Sequence, residues 1–205
     1  MIIIEDVANK EGAHVSKNKY FTDNGIKVRR FGLPCCDYII ANEKVLDLID
    51  RKETRGMTPH KMDFLGTYDV AVDTKMSMSE IESNIIGKSH ARFRDECILA
   101  QNNGIKMYVL VENKDGIKTI NDVFRYTSTR RLRWFKIHKA HENGKMLNFK
   151  IPDKPPVSGE QLAKAMLTMQ LKYSVEFVFC DPNDAGAKVI ELLTRQDTGN
   201  NPYQE

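Results

Sequence analysis

The stretch from Tyr68 to Glu80 constrains the fold more than any other part of the sequence. It reads Y D V A V D T K M S M S E. Val70 and Val72 alternate with small or polar neighbours, and this period of two is typical of a half-buried β-strand. Side chains two residues apart in a strand lie on the same face, so this strand would present Asp73 and Lys75 side by side. The chain is therefore predicted to fold around a strand that ends in a carboxylate and an ammonium group.

A carboxylate and a lysine at the end of a strand can share one chemical task. The carboxylate binds a divalent cation through oxygen, and the lysine, a compact point charge, holds a water molecule or a phosphate oxygen beside it. The spacing alone is weak evidence, because it recurs at Asp50 and Lys52 and at Glu112 and Lys114. The alternative interpretation is an ordinary ion pair at an exposed strand end. The pair at Glu112 is the main competitor, since it also follows an apolar strand.

Ser77 and Glu80 predict that a helix begins directly after this strand. Ser-x-x-Glu fits a capping box, in which the serine and the acid satisfy each other's backbone N–H groups, and the motif is repeated at Ser79 and Glu82. We expect the helix to run towards Ile86. Glu80 therefore has two interpretations: it is the reciprocal acid of the box, or it is a further catalytic acid beside the strand.

The remaining pattern alternates between strands and helices, which is typical of an α/β domain. Further strands are predicted at residues 2–4, 26–31, 36–40, 107–112 and 175–179. Further helices are predicted at residues 91–102, 158–172 and 185–193. Residues 41–67 are harder to assign, and we expect a long hairpin or a mobile flap there. The prediction is one domain over residues 1–195, with a basic insert at residues 113–157 and a flexible tail at residues 196–205.

Length and composition fit one soluble domain. The 205 residues can form one sizeable core but are few for two domains of ordinary size. No apolar run approaches the roughly 20 residues that cross a bilayer, and the first six residues are too short and too acidic for a signal peptide. We therefore expect a cytoplasmic protein with no membrane partner. The four cysteines form no C-x-x-C pair, so the sequence does not predict a zinc site.

The net charge of +3 is unevenly distributed. Residues 114–154 contain eleven Lys or Arg and only four acidic residues, so the rest of the chain is slightly acidic. Phe124, Tyr126, Trp134 and Phe135 are interleaved with these basic residues. Basic residues with aromatic neighbours are typical of a surface that binds a nucleic-acid backbone. The alternative is a solvated basic loop or helix.

These elements resemble the XPF-type (ERCC4-domain) nuclease domain of structure-specific DNA endonucleases, especially the small single-domain versions of phages and prophages. The family belongs to the PD-(D/E)XK superfamily, and its signature runs G-D-Y followed by E-R-K-x-x-x-D. Cys36-Asp37-Tyr38 and Asp73-Thr74-Lys75 match its two halves. Arg92-Phe93 and Glu96-Cys97 match its following basic helix, and the similarity spans nearly the whole chain.

The resemblance implies an α/β fold with a restriction-endonuclease-like core, in which helices flank a central mixed sheet. Asp37 and Asp73 would bind Mg²⁺ or Mn²⁺ with the backbone carbonyl of Thr74, helped through water by Glu5 or Glu80. Lys75 would position the attacking water and offset charge on the scissile phosphate. The implied catalytic residues are Asp37, Asp73, Lys75 and Glu80. The implied DNA contacts are Lys88, Arg92, Arg130, Arg131 and Arg133.

Three positions depart from the family signature. Cys36 stands in place of the glycine, and Asp73 stands in place of the glutamate, which shortens the reach but keeps a metal-binding carboxylate. Ser79 occupies the position of the final aspartate, with Glu80 one residue later. The chain also lacks room after residue 194 for the tandem helix-hairpin-helix module of many relatives. We therefore expect DNA contacts from the nuclease domain itself or from a partner protein.

The resemblance predicts a metal-dependent endonuclease that hydrolyses phosphodiester bonds in branched or flapped DNA. Its expected setting is phage or prophage DNA repair, recombination or replication, in the cytoplasm of a bacterial host cell. Expected partners are DNA, a second copy of the chain and a replication or recombination protein. One alternative is a non-catalytic DNA-binding recombination accessory protein of the same fold, and another is a Holliday junction resolvase. Asp37, Asp73 and Lys75 are all present, which favours the enzyme.

Overall fold

The computed structural model describes residues 1–8, 12, 14–144 and 152–195. Its strands are β1 (Ile2–Asp6), β2 (Lys27–Phe31), β3 (Tyr38–Ile40), β4 (Val70–Lys75), β5 (Lys106–Glu112) and β6 (Glu176–Cys180). Its α-helices are α1 (Val15–Asp23), α2 (Glu43–Thr54), α3 (Met78–Ile85), α4 (His90–Asn102), α5 (Ile120–Val123), α6 (Thr129–Glu142), α7 (Gly159–Tyr173) and α8 (Ala185–Thr194). A 3-10 helix, Lys61–Phe64, lies between α2 and β4.

The strands form one mixed sheet in the order β2-β1-β3-β4-β5-β6. β3 runs antiparallel to both of its neighbours, β1 and β4, whereas the other neighbouring pairs are parallel. The carboxyl ends of β1, β4 and β5 therefore lie at the edge where β3 begins. This topology brings three groups towards one edge of the sheet: the acids that end β1, Asp37 before β3, and Asp73 to Lys75 of β4.

Helices cover both faces of the sheet, so the domain has three layers. One apolar core packs the sheet against α2, α3, α4 and α7. The other packs it against α1 and α8. β4 contributes to both cores, because Ala71 faces the first and Val72 the second. The predicted α/β fold with a central mixed sheet is confirmed.

The predicted helices form where their caps and apolar faces indicated. The Ser77 side chain accepts a hydrogen bond from Glu80 N–H and starts α3, and Ser158 does the same for Gln161 at the start of α7. In α4, Phe93 and Cys97 are buried as the i, i+4 pattern predicted. These helices pack against the face of the sheet that carries Asp73.

The prediction of a hairpin or flap at residues 41–67 is wrong. This segment forms α2 and the 3-10 helix, with Asn42 capping α2 by accepting a hydrogen bond from Val45 N–H. Val45, Leu48 and Ile49 are buried on one helical face, and their i, i+3, i+4 spacing fits a helix and not a strand. The segment packs against the core and delivers Lys61 to the cavity described below.

Where it is described, the basic insert contains the helices α5 and α6. Every residue of α6 is exposed or only partly buried, and this helix carries most of the arginines of the insert. Lys145 and Lys150 of the insert, and the predicted flexible tail at residues 196–205, lie outside the described residues. Among the residues that the structure does describe, no helix is both long enough and apolar enough to cross a membrane.

Candidate active site

Asp73 and Lys75 form a buried ion pair at the end of β4. Lys75 Nζ lies 2.9 Å from Asp73 Oδ1 and 2.7 Å from Oδ2, and the two residues are only 6% and 3% exposed. Strand periodicity places both side chains, with Ala71, on the sheet face that α4 covers. The ammonium group also lies 5.3 Å from the centre of the Phe93 ring. The predicted position of the pair on one face is confirmed.

Asp37 reaches the same strand end from the start of β3. Its Oδ2 accepts a 2.8 Å hydrogen bond from Thr74 N–H and a 2.5 Å hydrogen bond from the Thr74 hydroxyl. The preceding residue, Cys36, has a left-handed backbone with φ of 65°, which is costly for a residue that has a side chain. The family signature has glycine at this position, so the backbone conformation supplies a physical reason for that glycine.

Glu96 of α4 holds the turn that carries Asp37. Its Oε1 accepts a 2.7 Å hydrogen bond from Cys36 N–H. The Glu96 charge also acts on Asp73 and Lys75. The sequence places Glu96 in the helix after Lys75 but predicts no role for it in the site. Its spacing of four residues from Arg92, which puts both on one face of the helix, was the available signal.

The surroundings raise the pKa of both members of the ion pair, for different reasons. Burial acts most strongly on Asp73, and with Asp37 and Glu96 it raises the Asp73 pKa well above its usual value despite Lys75. Burial alone would lower the pKa of Lys75, but the Asp73 and Asp37 carboxylates outweigh it and raise that pKa. Lys75 is therefore protonated at neutral pH, and the cluster still favours additional positive charge.

An open cavity of about 550 Å³ exposes this cluster at the edge of the sheet. The predicted residues that line it are Asp37, Asp73, Thr74, Lys75, Glu80 and Arg92. Glu80 accepts a 2.8 Å hydrogen bond from Met76 N–H, one residue before the cap Ser77, so among the described residues only the serine half of the predicted capping box is formed. Further lining residues without a role in the sequence prediction are Asp6, His14, Lys61 and Glu96.

The donor set of the cavity fits a hard divalent cation. Asp37 and Asp73 supply carboxylate oxygens, and the buried Asp73 Oδ2 lies 2.7 Å from Lys75 Nζ but accepts no hydrogen bond of normal geometry in the described part of the chain. Among those same residues, no three His, Cys, Asp or Glu side chains are grouped so that they could hold a metal ion by themselves. Mg²⁺ usually takes one or two carboxylates and keeps water and substrate phosphates as its other ligands. Asp37 and Asp73 match that requirement.

A family model described as the ERCC4 domain matches residues 7–193. The chain belongs to the ERCC4 domain family. Members of this family are generally structure-specific nucleases. The match includes the whole candidate site from Asp37 to Glu96, so the family resemblance predicted from the sequence is confirmed. No curated protein matches the chain.

Solved structures of XPF from Aeropyrum pernix have a similar fold. One is 14% identical with a TM-score of 0.52, and the match covers 94% of this chain and 63% of that chain. A second, in complex with DNA, is 13% identical with a TM-score of 0.49, covering 94% of this chain and 62% of that chain. This ERCC4 domain chain therefore spans less than two thirds of the XPF chains that it matches.

Glu5 of this ERCC4 domain lies in a hydrogen-bond network on the α1 side of the sheet. Its carboxylate oxygens lie 3.2 Å from His14 Nδ1 and accept a 3.2 Å hydrogen bond from Asn18 Nδ2. The Tyr38 hydroxyl lies 2.7 Å from the same His14 nitrogen. Burial would raise the Glu5 pKa, but the bonds from His14 and Asn18 outweigh burial and lower it. The next residue, Asp6, lines the cavity instead.

Glu112 of this ERCC4 domain pairs with Lys17 of α1 and not with the exposed Lys114. Lys17 and Glu112 are 2% and 4% exposed, so this ion pair is fully inside the domain. Glu112, the predicted alternative to Asp73 as the site acid, therefore forms a buried contact between β5 and α1. Sequence spacing missed it because Lys17 is 95 residues away in the chain.

The predicted DNA contacts lie in different environments. Lys88, Arg92, Arg130 and Arg133 are exposed, as phosphate-binding side chains must be. Arg131 is partly buried: it donates a hydrogen bond to the Pro156 carbonyl, and its guanidinium lies 5.2 Å from the centre of the Phe135 ring. Only Arg92 of the five lines the cavity that contains Asp73.

Proposed function

We propose that this ERCC4 domain is a metal-dependent endonuclease that hydrolyses phosphodiester bonds in branched or flapped DNA. The observation that carries the proposal is the Asp73 and Lys75 pair, which lies beside Asp37 in an open cavity at the sheet edge. Family membership supports it, because ERCC4 nucleases generally use divalent metal ions. Three further points remain predictions: a role in phage or prophage DNA metabolism, a cytoplasmic location and a homodimer.

Asp37 and Asp73 are the proposed metal ligands, together with the backbone carbonyl of Thr74. When bound, Mg²⁺ or Mn²⁺ would polarise the scissile phosphate and favour ionisation of the attacking water. Thr74 fixes Asp37 through its N–H and hydroxyl groups, and Glu96 fixes the turn before Asp37. Glu80 and Glu5 are assigned supporting roles through water, with Glu80 the nearer candidate because it lines the cavity.

Lys75 is the proposed group that orients the attacking water. Its protonated Nζ is a hydrogen-bond donor already held in position by Asp73 and the Phe93 ring. Water attacks phosphorus and releases a proton to solvent, the bond to the leaving oxygen breaks, and that oxygen takes up a proton from solvent; meanwhile negative charge grows on the phosphoryl oxygens. A fixed positive charge beside those oxygens lowers the barrier without reorganisation at the moment of reaction. Arg92, at the cavity wall, is the proposed contact for a neighbouring phosphate.

The exposed arginines of α6 extend the proposed DNA surface. Arg130 and Arg133 have no hydrogen bond or ion pair to other described residues, so their guanidinium groups are available to phosphates. The acidic cavity repels the DNA backbone when it is unmetallated, and basic side chains around it offset that repulsion. The proposed surface therefore includes Lys88, Arg92, Arg130 and Arg133, with Arg131 in a smaller role.

Cleavage of labelled flap, fork, four-way junction and duplex DNA tests the proposal. The wild-type protein and Lys75→Ala are compared in Mg²⁺, Mn²⁺ and EDTA, with Lys114→Ala as the matched control at the same spacing from an acid. We expect metal-dependent cutting of a branched substrate by the wild type and the control, and loss of cutting by Lys75→Ala. Binding of all substrates without cutting in either metal would favour the accessory protein instead.

A further inference from the structure

A second cavity, here called the α3–α6 cavity, lies between the end of α3, the start of α6 and residues 156–157. Its volume is about 290 Å³. Glu82 lines it from α3, Lys88 from the following turn and Arg130 from α6. Ile86 and Val157 add apolar walls. The cavity therefore combines one acceptor, two cations and carbon surface at a size near the lower end of small-ligand sites, which begin at about 300 Å³.

Glu82 is the unexplained residue of this cavity. It is only 6% exposed, and its Oε2 is buried without a hydrogen-bond partner among the described residues. Neither Lys88 nor Arg130 forms an ion pair with it in that part of the chain. A buried carboxylate oxygen without a partner is costly and rare in folded proteins. A hydrogen-bond donor that enters the cavity would remove this cost.

The lining selects among the chemical groups that could supply that donor. A phosphate has no N–H group and is repelled by Glu82. A metal ion is disfavoured by the positive charges of Lys88 and Arg130. A nucleobase has amino and imino donors for a carboxylate and a flat ring for apolar walls, and it is attached to phosphates that Lys88 and Arg130 can bind.

We propose that the α3–α6 cavity binds one unpaired nucleobase of a DNA strand. The proposal rests on the proposed nuclease function and names the feature of the substrate that the domain recognises. Glu82 accepts a hydrogen bond from an exocyclic amino group of the base, and Ile86 and Val157 contact its faces. Lys88 and Arg130 bind the phosphates on either side.

The position of the cavity relative to the candidate active site supports this assignment. Glu80 lines the first cavity and Glu82 the second, and residues two apart in a helix point in directions roughly 200° apart. The two cavities therefore lie on different sides of α3; a helix with its side chains is about 10–12 Å across, a length that about three nucleotides of a strand cover. Each cavity also has an exposed basic residue in its lining, Arg92 in the first and Lys88 in the second. A strand that leaves a duplex at the active site reaches the second cavity within a few nucleotides.

Base preference in single strands is the test. Short dC and dT oligonucleotides are titrated by fluorescence anisotropy in EDTA, so that no cleavage occurs. Cytosine presents an amino donor to Glu82, whereas thymine presents a carbonyl acceptor at the equivalent position. We expect the wild type to bind the dC oligonucleotide about tenfold more tightly, because one good contact to a base edge discriminates by roughly that factor.

Glu82→Met removes the acceptor and keeps the volume of the side chain. We expect the ratio of dC to dT affinity to fall to about one, whatever the change in overall affinity, while Glu43→Gln on the exposed start of α2 retains the wild-type ratio. Glu82→Leu serves as a second variant that lacks the acceptor, and thermal melting confirms that each variant is folded. Lys88→Ala should weaken binding of both oligonucleotides equally, because it contacts phosphate.

Equal binding of dC and dT by the wild type would overturn the proposal, and so would an unchanged ratio in folded Glu82→Met. These results are independent of catalysis. A wild type that cuts branched DNA without base preference retains the nuclease function and loses the nucleobase site. A wild type with the Glu82-dependent preference that cuts no substrate retains the site and loses the nuclease function.

Discussion

Charged residues are used in opposite ways at the end of β4 and along α6. At the end of β4, Asp73 and Lys75 are almost completely removed from water and fixed by each other, by Phe93 and by the charges of Asp37 and Glu96. Along α6, the arginines stand on a helix that buries no residue. Burial decides whether a charge is fixed in place for chemistry or left free to find a partner.

The two regions also differ in what holds them. The β4 end is supported by two apolar cores, so its geometry is determined by the whole domain. α6 is anchored by polar contacts to a loop: Trp134 Nε1 donates a 2.8 Å hydrogen bond to the Pro152 carbonyl, and Arg131 bonds to that of Pro156. Surface charges of the α6 kind add little to stability. They suit long-range attraction of a polyanion, which salt screens.

Asp73→Asn is expected to have the largest effect on activity. It keeps the size of the side chain but removes the charge that binds the metal and fixes Lys75, and cleavage of a branched substrate should fall at least about 10³-fold. Binding of the same DNA should be retained or strengthened, since an anionic charge is lost. Asp50→Asn is the control, because Asp50 has the same spacing from a lysine on an exposed surface. Equal rates for the two variants would contradict the metal-site assignment.

Lys17→Met tests the stability of a buried charge without its partner. Glu112 would remain inside the domain unpaired, so the free energy of unfolding should fall by about 3–5 kcal/mol, and the melting temperature by roughly 6–20 °C for a chain of this size. The measurement is thermal unfolding. Lys19→Met removes an exposed lysine that pairs with Asp23 in the same helix and should change little. If both variants melt together, the buried pair does not have the predicted importance.

The α6 arginines should differ among themselves in their effect on DNA binding. Arg130→Ala and Arg133→Ala should each reduce the slope of log affinity against log salt by about one, as loss of one phosphate contact does. Arg131→Ala should change the slope less and the melting temperature more, because Arg131 is engaged with Pro156 and Phe135. Fluorescence anisotropy at several salt concentrations measures the slopes. Three equal slopes would show that Arg131 binds phosphate as the others do.

Cys36→Gly should have the smallest effect. Glycine adopts the left-handed backbone of this position freely, and that gain offsets the loss of a small buried side chain, so unfolding free energy should change by less than about 1 kcal/mol. Cys36→Val preserves apolar volume but places a β-branched residue at φ of 65°, and should destabilise clearly more. Denaturant unfolding compares them. A more stable valine variant would refute the backbone explanation for this turn.

The local sequence pattern was sufficient to predict most of the helices and strands and the shared face of Asp73 and Lys75. Alternation in β4 predicts that Asp73 and Lys75 share a face, and a capping serine predicts the start of α3, because both depend on neighbours within a few residues. The same reasoning failed over residues 41–67. There, Val45, Leu48 and Ile49 have the spacing of a helix, but the charged stretch that follows contains Gly56, Pro59 and Gly66, which favour a hairpin or flap.

Residues that meet only through the fold were beyond local pattern. Glu96 bonds to Cys36, 60 residues earlier, and Lys17 pairs with Glu112 across 95 residues. Glu82 is indistinguishable in sequence from a surface acid of a capping motif, yet it lies buried in the α3–α6 cavity. The physical reason is that periodicity reports which way a side chain faces along its own element. Which element it then meets, and whether water remains between them, depends on how the sheet and helices pack.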